Sequence, residues 1–364
     1  VRTEEKCGCL LITGKTEKNM IKNFRNVFGF SDKEIATGLN DNTLLSLEIE
    51  FGSRCNLRCV YCYAGNDSLK RDELEIEEMY DIISQAKALG ARKIIYLGAG
   101  EPLLDSKFIN IMKYVHKLKM EHIIFTNATL IDLKTAKLFY ENNLTVAVKY
   151  NSLKPEVHDW LTGVSGSYAS MQRGMESLCE AGYPDQDHVL CIESVICRQN
   201  IEEIPALWRW AREREIMPYM ECLTHVGLVN SRDDLLITNE ETQKVFETLA
   251  KIDADEYGLY WKPHPPIAGF SCKRHLYSCL INSQGYVLPC VGIDIKMGNI
   301  REEKLKNILK NNKVHSDLCC IKEKIKGSCK TCDLNNECYG CRGTAYALTG
   351  DYLASDPTCW KVNK

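Results

Sequence analysis

Leu45, Leu47, Ile49 and Phe51 alternate with Ser46, Glu48 and Glu50. This period of two predicts a β-strand, and it runs straight into the turn residues Gly52 and Ser53. Beyond it the period changes. Ile76, Met79, Ile83 and Ala86 share one helical face that Gly90 ends, and Lys93-Ile-Ile-Tyr-Leu97 is then a short buried strand. Phe108, Ile111, Met112, Val115 and Leu118 mark another helix, with Asp105 as its expected cap. Strand patterns recur at His122–Phe125, Leu144–Val148, Val189–Val195 and Pro218–Cys222. Helices are expected between them near 132–142, 167–181 and 201–214, the last opening on a capping box, Asn200-x-x-Glu203.

Six strand–helix units in succession predict an α/β fold with a parallel sheet wrapped by helices. That number suits a partial (β/α)6 TIM-like barrel better than a flat sheet. In such folds ligands sit at the carboxyl ends of the strands. Residues 1–44 read as a lead-in segment, a cap or hairpin closed by the polar turn Gly38-Leu-Asn-Asp-Asn42, and 45–234 as the barrel. The stretch 235–270 reads as a bridge, with one amphipathic helix (Val245, Leu249, Ile252) and the linker Trp261-Lys-Pro-His-Pro-Pro266. A cysteine-rich unit, 271–364, follows.

Hydrophobic content of 45% and charged content of 26% are those of a globular protein, and 364 residues suffice for a large core. A net charge of −3 gives no reason to expect nucleic acid as a partner. No apolar run approaches the ~20 residues of a membrane span and no export signal is present, so a cytoplasmic protein without a membrane partner is expected. The 19 cysteines therefore point to metal rather than to disulfides.

Three of them, Cys55, Cys59 and Cys62, fall in one turn of loop directly after the first strand. A Cys-x3-Cys-x2-Cys loop supplies three thiolates, so a four-iron cube bound there keeps one iron open to a small molecule. A zinc knuckle or three buried thiols is the plainer alternative. Leu97-Gly-Ala-Gly-Glu-Pro-Leu103 follows the second strand. Its glycines permit close backbone approach to a ligand and Glu101 offers an acceptor for an ammonium group.

With Tyr61 before the third cysteine, the loop resembles that of the radical S-adenosylmethionine (SAM) enzymes. The resemblance implies that SAM chelates the open iron and that one electron cleaves its sulfonium. The 5'-deoxyadenosyl radical so formed abstracts a substrate hydrogen. It implies SAM contacts from Tyr61 and from Gly98, Gly100, Glu101 and Pro102, with Ala99 replacing a glycine of the family motif. Thr126-Asn127 is similar to the family's Thr-Asn-Gly turn. Tyr150 and Ser152 stand where many relatives have the ribose-binding Ser and Asp, and Glu193 and Ser194 are further ribose candidates. His158 is read as structural.

The C-terminal array reads Cys272-x6-Cys279-x5-Gly285-x4-Cys290, then Cys329-x2-Cys332-x5-Cys338-x2-Cys341, then Cys359. Eight cysteines are the count for two fully ligated Fe4S4 clusters. A zinc ribbon on Cys329, Cys332, Cys338 and Cys341 is the competing reading and strands the other four. The array resembles the SPASM domain of peptide-modifying radical SAM enzymes. That resemblance implies interleaved ligands: Cys272, Cys279, Cys290 and Cys341 for one auxiliary cluster, Cys329, Cys332, Cys338 and Cys359 for the other. Three Fe4S4 clusters and SAM are thus the expected cofactors. Cys7, Cys9, Cys319 and Cys320 are left without a role, and Cys179, Cys191, Cys197 and Cys222 read as core.

A saturated cluster suits electron transfer, so net oxidation is expected, as dehydrogenation or bond formation. An electron donor such as flavodoxin or ferredoxin is expected to feed it. Sulfatase-maturing relatives carry an Asp after the third ligand of the first auxiliary cluster. Val291 stands there, and Asp294 is the substitute candidate base. Residues 1–44 look too few for the winged-helix recognition domain of many peptide modifiers. A peptide or protein side chain is the first expectation for substrate and a small metabolite, a sugar or cofactor precursor, the second. A non-catalytic iron–sulfur electron carrier is the reading of another class.

Overall fold

A computed structural model describes residues 27–65, 70–265 and 268–361. Cys7, Cys9 and most of the expected lead-in hairpin lie outside the described residues. Within them, 32–41 form helix α1 (Asp32–Asp41), held by a reciprocal capping box between Ser31 and Glu34. The polar 38–42 stretch ends this helix, with Asn42 in the left-handed region, rather than closing a hairpin.

Six parallel strands follow: β1 (Ser46–Phe51), β2 (Lys93–Gly98), β3 (Glu121–Thr126), β4 (Thr145–Lys149), β5 (Leu190–Ile196) and β6 (Met217–Cys222). Helices α2 (Ile76–Ala88), α3 (Phe108–Lys117), α4 (Leu133–Glu141), α5 (Pro155–Thr162), α6 (Ser167–Ala181) and α7 (Ile204–Arg212) connect them. The partial barrel expected from the strand–helix repeat is present.

Its sheet does not stop at β1. Beyond the bridge helix α8 (Asn239–Ile252), β7 (Ser278–Ile281) pairs in parallel with β1. Antiparallel β8 (Tyr286–Leu288) and β9 (Gly298–Asn299) then continue the sheet to nine strands. The cysteine-rich unit thus grows from the barrel's own edge, which covers the exposed hydrogen-bonding row of β1. Short helices α9 (Leu305–Asn311), α10 (Lys313–Cys319), α11 (Ile321–Lys324), α12 (Ser328–Thr331) and α13 (Arg342–Thr349) complete it. The bridge is packed rather than loose. Buried Asp253, just past α8, accepts hydrogen bonds from the indoles of Trp208 and Trp261 at 2.7 and 2.9 Å and pairs with Arg212. No helix among the described residues is long and apolar enough to cross a membrane.

Two caps differ from expectation. Asp105 stands ahead of α3, where it accepts from the Lys107 amide at 2.8 Å and from the Gly52 amide at 3.3 Å, tying the exit of β1 to the start of α3. The box at Asn200 and Glu203 does not form, because Pro205 sets the start of α7 three residues later than the box requires. Asn200 instead accepts from the Cys197 amide and donates to the carbonyls of Asn151 and Val195.

Strand β1 is buried on both faces. Leu47, Ile49 and Phe51 join the core under the helices, while Glu48 and Glu50 point to the barrel interior. At the base of that interior Phe28 packs against Phe125 and Tyr219, with ring centroids 5.6 and 5.2 Å apart.

Burial holds His122 neutral, its pKa lowered from 6.5 to about 4. Its ring contacts the Tyr96 hydroxyl and the Asn142 carbonyl. The unfolded chain therefore binds a proton that the fold excludes, and stability is lost as pH falls from about 6.5 toward 4, by roughly 3 kcal/mol for this group. Thermal unfolding of wild type and His122→Gln at pH 7 and pH 5 checks this: the variant's melting temperature should fall less.

Candidate functional site

The cysteine loop lies where β1 delivers it, over the carboxyl end of the barrel. Backbone contacts sew it down. The amides of Arg58 and Val60 donate to the Thr162 and Leu161 carbonyls at 2.9 and 3.0 Å, and Leu228 N–H donates to the Cys62 carbonyl at 3.0 Å. Gly227, at φ +60°, passes so close that a β-carbon there would lie 2.3 Å from the Tyr63 carbonyl oxygen. Only glycine fits such a position.

Cys55, Cys59 and Cys62 face one cavity of about 750 Å³. Burial and its two thiol neighbours push Cys59 up to about 12. A thiolate there needs a compensating positive charge, which bound iron supplies. The three thiols therefore fit a cluster.

The strand ends supply the next layer. Gly98, Gly100, Glu101, Thr126 and Asn127 line the same cavity. A β-carbon on Gly100 would meet the Arg54 carbonyl oxygen at 2.0 Å, so this glycine lets the β2 turn touch the cysteine loop. Glu101 is buried. It accepts from Thr126 Oγ1 at 2.7 Å, from Asn127 N–H at 2.8 Å and from Leu103 N–H at 3.2 Å. Burial raises its pKa and these hydrogen bonds oppose the rise. Pro102 opens the 3₁₀ turn Pro102–Leu104 behind it. Tyr61 lines the cavity and accepts a 2.6 Å hydrogen bond from Asn151 Nδ2.

Ser152, Glu193 and Ser194 are fully buried and stand behind the cavity wall. Ser152 donates to Glu203 at 2.7 Å and accepts from the Lys154 amide, holding the turn into α5. Glu193 contacts the ammonium of Lys149, which also lies 3.9 Å from Glu221. Lys149 and Glu221 do line the cavity. Burial drives Glu193 upward; in Glu221 burial is outweighed by the proton that Glu193 offers and by Lys149. Glu221, with Lys149, faces the cavity, and Glu193 stands behind it. Asp294 is exposed on the loop after Cys290 and is not part of the wall.

Lys149, Glu221 and Tyr63 were missed from sequence. Tyr63 places its hydroxyl between Glu50 and the Gly98 carbonyl, at 2.9 and 3.0 Å. The available signal was a charge at the carboxyl end of an otherwise apolar strand, as in Ala-Val-Lys149 and Tyr-Met-Glu221.

Across the cavity lie Cys272, Cys290 and Cys341. Burial, with Cys341 and Cys272 nearby, pushes Cys290 up, and burial pushes Cys341 to about 11, helped by Cys272. Cys279 does not join them. It is 1% exposed on the helix side of the sheet, within the apolar core. Cys329 and Cys359 lie near enough to Cys338, and Cys329 and Cys332 near enough to Cys359, to raise those thiols electrostatically. Cys341 lines the cavity with Cys272 and Cys290, whereas Cys329, Cys332, Cys338 and Cys359 do not. Among the described residues no three His, Cys, Asp or Glu side chains converge tightly enough for a single ion.

Cys191 and Cys197 are core, as expected, whereas Cys222 lines the cavity and Cys179 is half-buried on α6. Cys319 sits 3.6 Å from His315 Nε2, and Cys320 is exposed.

Comparison with known proteins agrees with this layout. The profile of the Radical SAM superfamily matches residues 49–211, and that of the SPASM iron–sulfur cluster-binding domain matches 272–341. An AdoMet-dependent heme synthase of Methanosarcina barkeri is 29% identical, over 88% of this chain and 97% of its own. An Fe-coproporphyrin III synthase of the same organism is 27% identical, over 84% of this chain and 85% of its own. Among solved structures, Streptococcus suis SuiB bound to precursor peptide SuiA superposes with a TM-score of 0.69 at 19% identity, covering 90% of this chain and 79% of that one. The structure of anSMEcpe with bound AdoMet does so with a TM-score of 0.65 at 17% identity, covering 86% of this chain and 90% of that one. The chain belongs to the radical SAM superfamily of enzymes, in the branch that carries a SPASM iron–sulfur domain.

Proposed function

We propose that this enzyme oxidises a small tetrapyrrole-type substrate in a SAM-dependent reaction. The observation that carries this reading is the full-length likeness to relatives named as heme and Fe-coproporphyrin III synthases, in both the barrel and the cysteine-rich unit. The cavity supports it. Its walls combine Phe28, Phe30, Phe125 and Tyr219 with the cations Lys149, Lys273 and Arg274, a lining suited to a flat apolar ring bearing carboxylates. The first expectation, a peptide side chain, rested on the SPASM array alone, and the structural likeness to peptide modifiers is one of fold.

When bound, SAM and the cluster on Cys55, Cys59 and Cys62 supply the hydrogen-abstracting radical. The chain's own groups do the rest. Tyr61, Gly98, Gly100, Glu101, Thr126 and Asn127 form the SAM-facing wall, with Glu101 holding the ammonium and Pro102 setting the turn behind it. Glu221 takes the proton released on oxidation in place of Asp294, and Lys149 and Glu193 keep it ionised until then. Cys272, Cys290 and Cys341, and separately Cys329, Cys332, Cys338 and Cys359, would hold auxiliary clusters, which would supply a route for the second electron, and a flavodoxin or ferredoxin would supply the first. The units 45–234, 235–270 and 271–364 divide these tasks between barrel, bridge and electron-transfer end. The test is anaerobic incubation of reconstituted enzyme with SAM, reductant and Fe-coproporphyrin III. Tetrapyrrole product and 5'-deoxyadenosine should appear together; unchanged tetrapyrrole, with 5'-deoxyadenosine at the substrate-free level, would sink the reading.

Glu101→Gln removes the charge that meets the ammonium and turns one acceptor into a donor against Thr126 or Asn127. SAM affinity should weaken roughly 10- to 100-fold, the weight of one charge-assisted hydrogen bond. Anaerobic titration calorimetry with SAM measures it.

A further inference from the structure

We propose that the imidazole of His275, rather than the thiolate of Cys279, is the fourth protein ligand of the cluster held by Cys272, Cys290 and Cys341. The inference rests on assigning those three cysteines to one auxiliary cluster.

Strand register excludes Cys279. It stands opposite Leu47 of β1, and in-register neighbours of a parallel pair project to the same face. Leu47 and Cys279 both lie in the apolar core beneath the helices, away from the cavity. Bringing the Cys279 sulfur to the other face would need a one-residue slip of β7. That slip would flip every side chain of the strand and turn Ile281, now fully buried in the same core, out of it.

His275 is placed as Cys279 is not. It lines the cavity together with Cys272, Cys290 and Cys341. It follows Cys272 by three residues and sits in the tight turn Arg274–Leu276. The side chain is 4% exposed, and its Nε2 is buried without a hydrogen-bond partner. The Tyr339 ring holds it from the flank, edge to face, at 5.9 Å. A buried imidazole nitrogen left unpaired is costly, and iron is a natural partner for it. Cys-x-x-His is then the local ligand pair, with Cys290 and Cys341 brought in by the β8 exit and the start of α13.

The exchange has an electronic consequence. An imidazole in place of a thiolate leaves the cluster one unit less negative, and fewer negative charges raise a cluster's reduction potential. This cluster borders the cavity, so it becomes the stronger acceptor for the electron leaving the substrate, while the all-cysteine group at Cys329, Cys332, Cys338 and Cys359 lies further out.

The experiment uses full-length protein, reconstituted anaerobically and reduced, with ¹⁵N-histidine labelling and pulsed EPR. A strongly coupled histidine nitrogen is expected in the wild type. His275→Cys should lose that coupling and keep its iron, and Cys279→Ala should keep both. Cys290→Ala should lose about four irons per chain. Loss of iron in Cys279→Ala, or absence of nitrogen coupling in a wild type whose iron still falls in Cys290→Ala, overturns the His275 assignment alone. Unchanged iron in Cys290→Ala overturns the cluster assignment beneath it as well.

Discussion

Alanine in place of Cys59 is expected to stop SAM cleavage, lowering 5'-deoxyadenosine release on the order of 10³-fold and iron by about four per chain. The loss should be one of chemistry and not of fold. The loop is anchored by main-chain hydrogen bonds from Arg58 and Val60 to α5 and from Leu228 to Cys62, none of which involves a thiol. Cys59 is itself half-buried beside Val60 and Tyr61 in an apolar cluster, where alanine fits. Iron assay and anaerobic product analysis, with far-UV circular dichroism as the control for folding, check the expectation. Cleavage at wild-type rate in the iron-depleted variant would remove the basis of the mechanism.

Cys338→Ala should have an effect almost as large and of a different kind. Residues 325–361 contain little regular structure beyond α12 and α13, and their apolar cluster around Ile321, Cys329, Tyr339 and Leu353 is small. A unit with so little core draws its folding energy from what its cysteines bind. The variant should lose about four irons and become sensitive to proteolysis within 320–361. Oxidised product should fall by on the order of 10²-fold, while 5'-deoxyadenosine release stays within a few-fold of wild type, since SAM cleavage depends on the barrel loop. Parallel loss of both would assign these four cysteines to the integrity of the whole enzyme and not to the second electron.

The barrel was legible because its strands are apolar and its helices periodic, so each element announced itself locally. Within a residue or two, all six parallel strands lie where the pattern put them. The short β7–β9 were not legible, since strands of two to four residues carry no period. The failed box at Asn200 shows the same limit from the other side. A correct local signal lost to Pro205 and to the carbonyls of Asn151 and Val195, which only the fold brings near.

For the site, residue types and spacings determined the three-cysteine loop and the Glu101 turn, because short-range spacing dictates what a single loop can bind, whereas the division of the distal cysteines into two groups came from the resemblance to the SPASM domain. Tertiary structure decided what sequence distance conceals: that β7 extends the barrel sheet and turns Cys279 into the core, that His275 lines the cavity that Cys272 also lines, and that Glu221 rather than Asp294 faces it. The physical reason is the two-residue period of a strand. Which face is interior depends on the partner strand and its register, and the polar face of β1, with Glu48 and Glu50, looks inward to a cavity that no stretch of its own sequence describes.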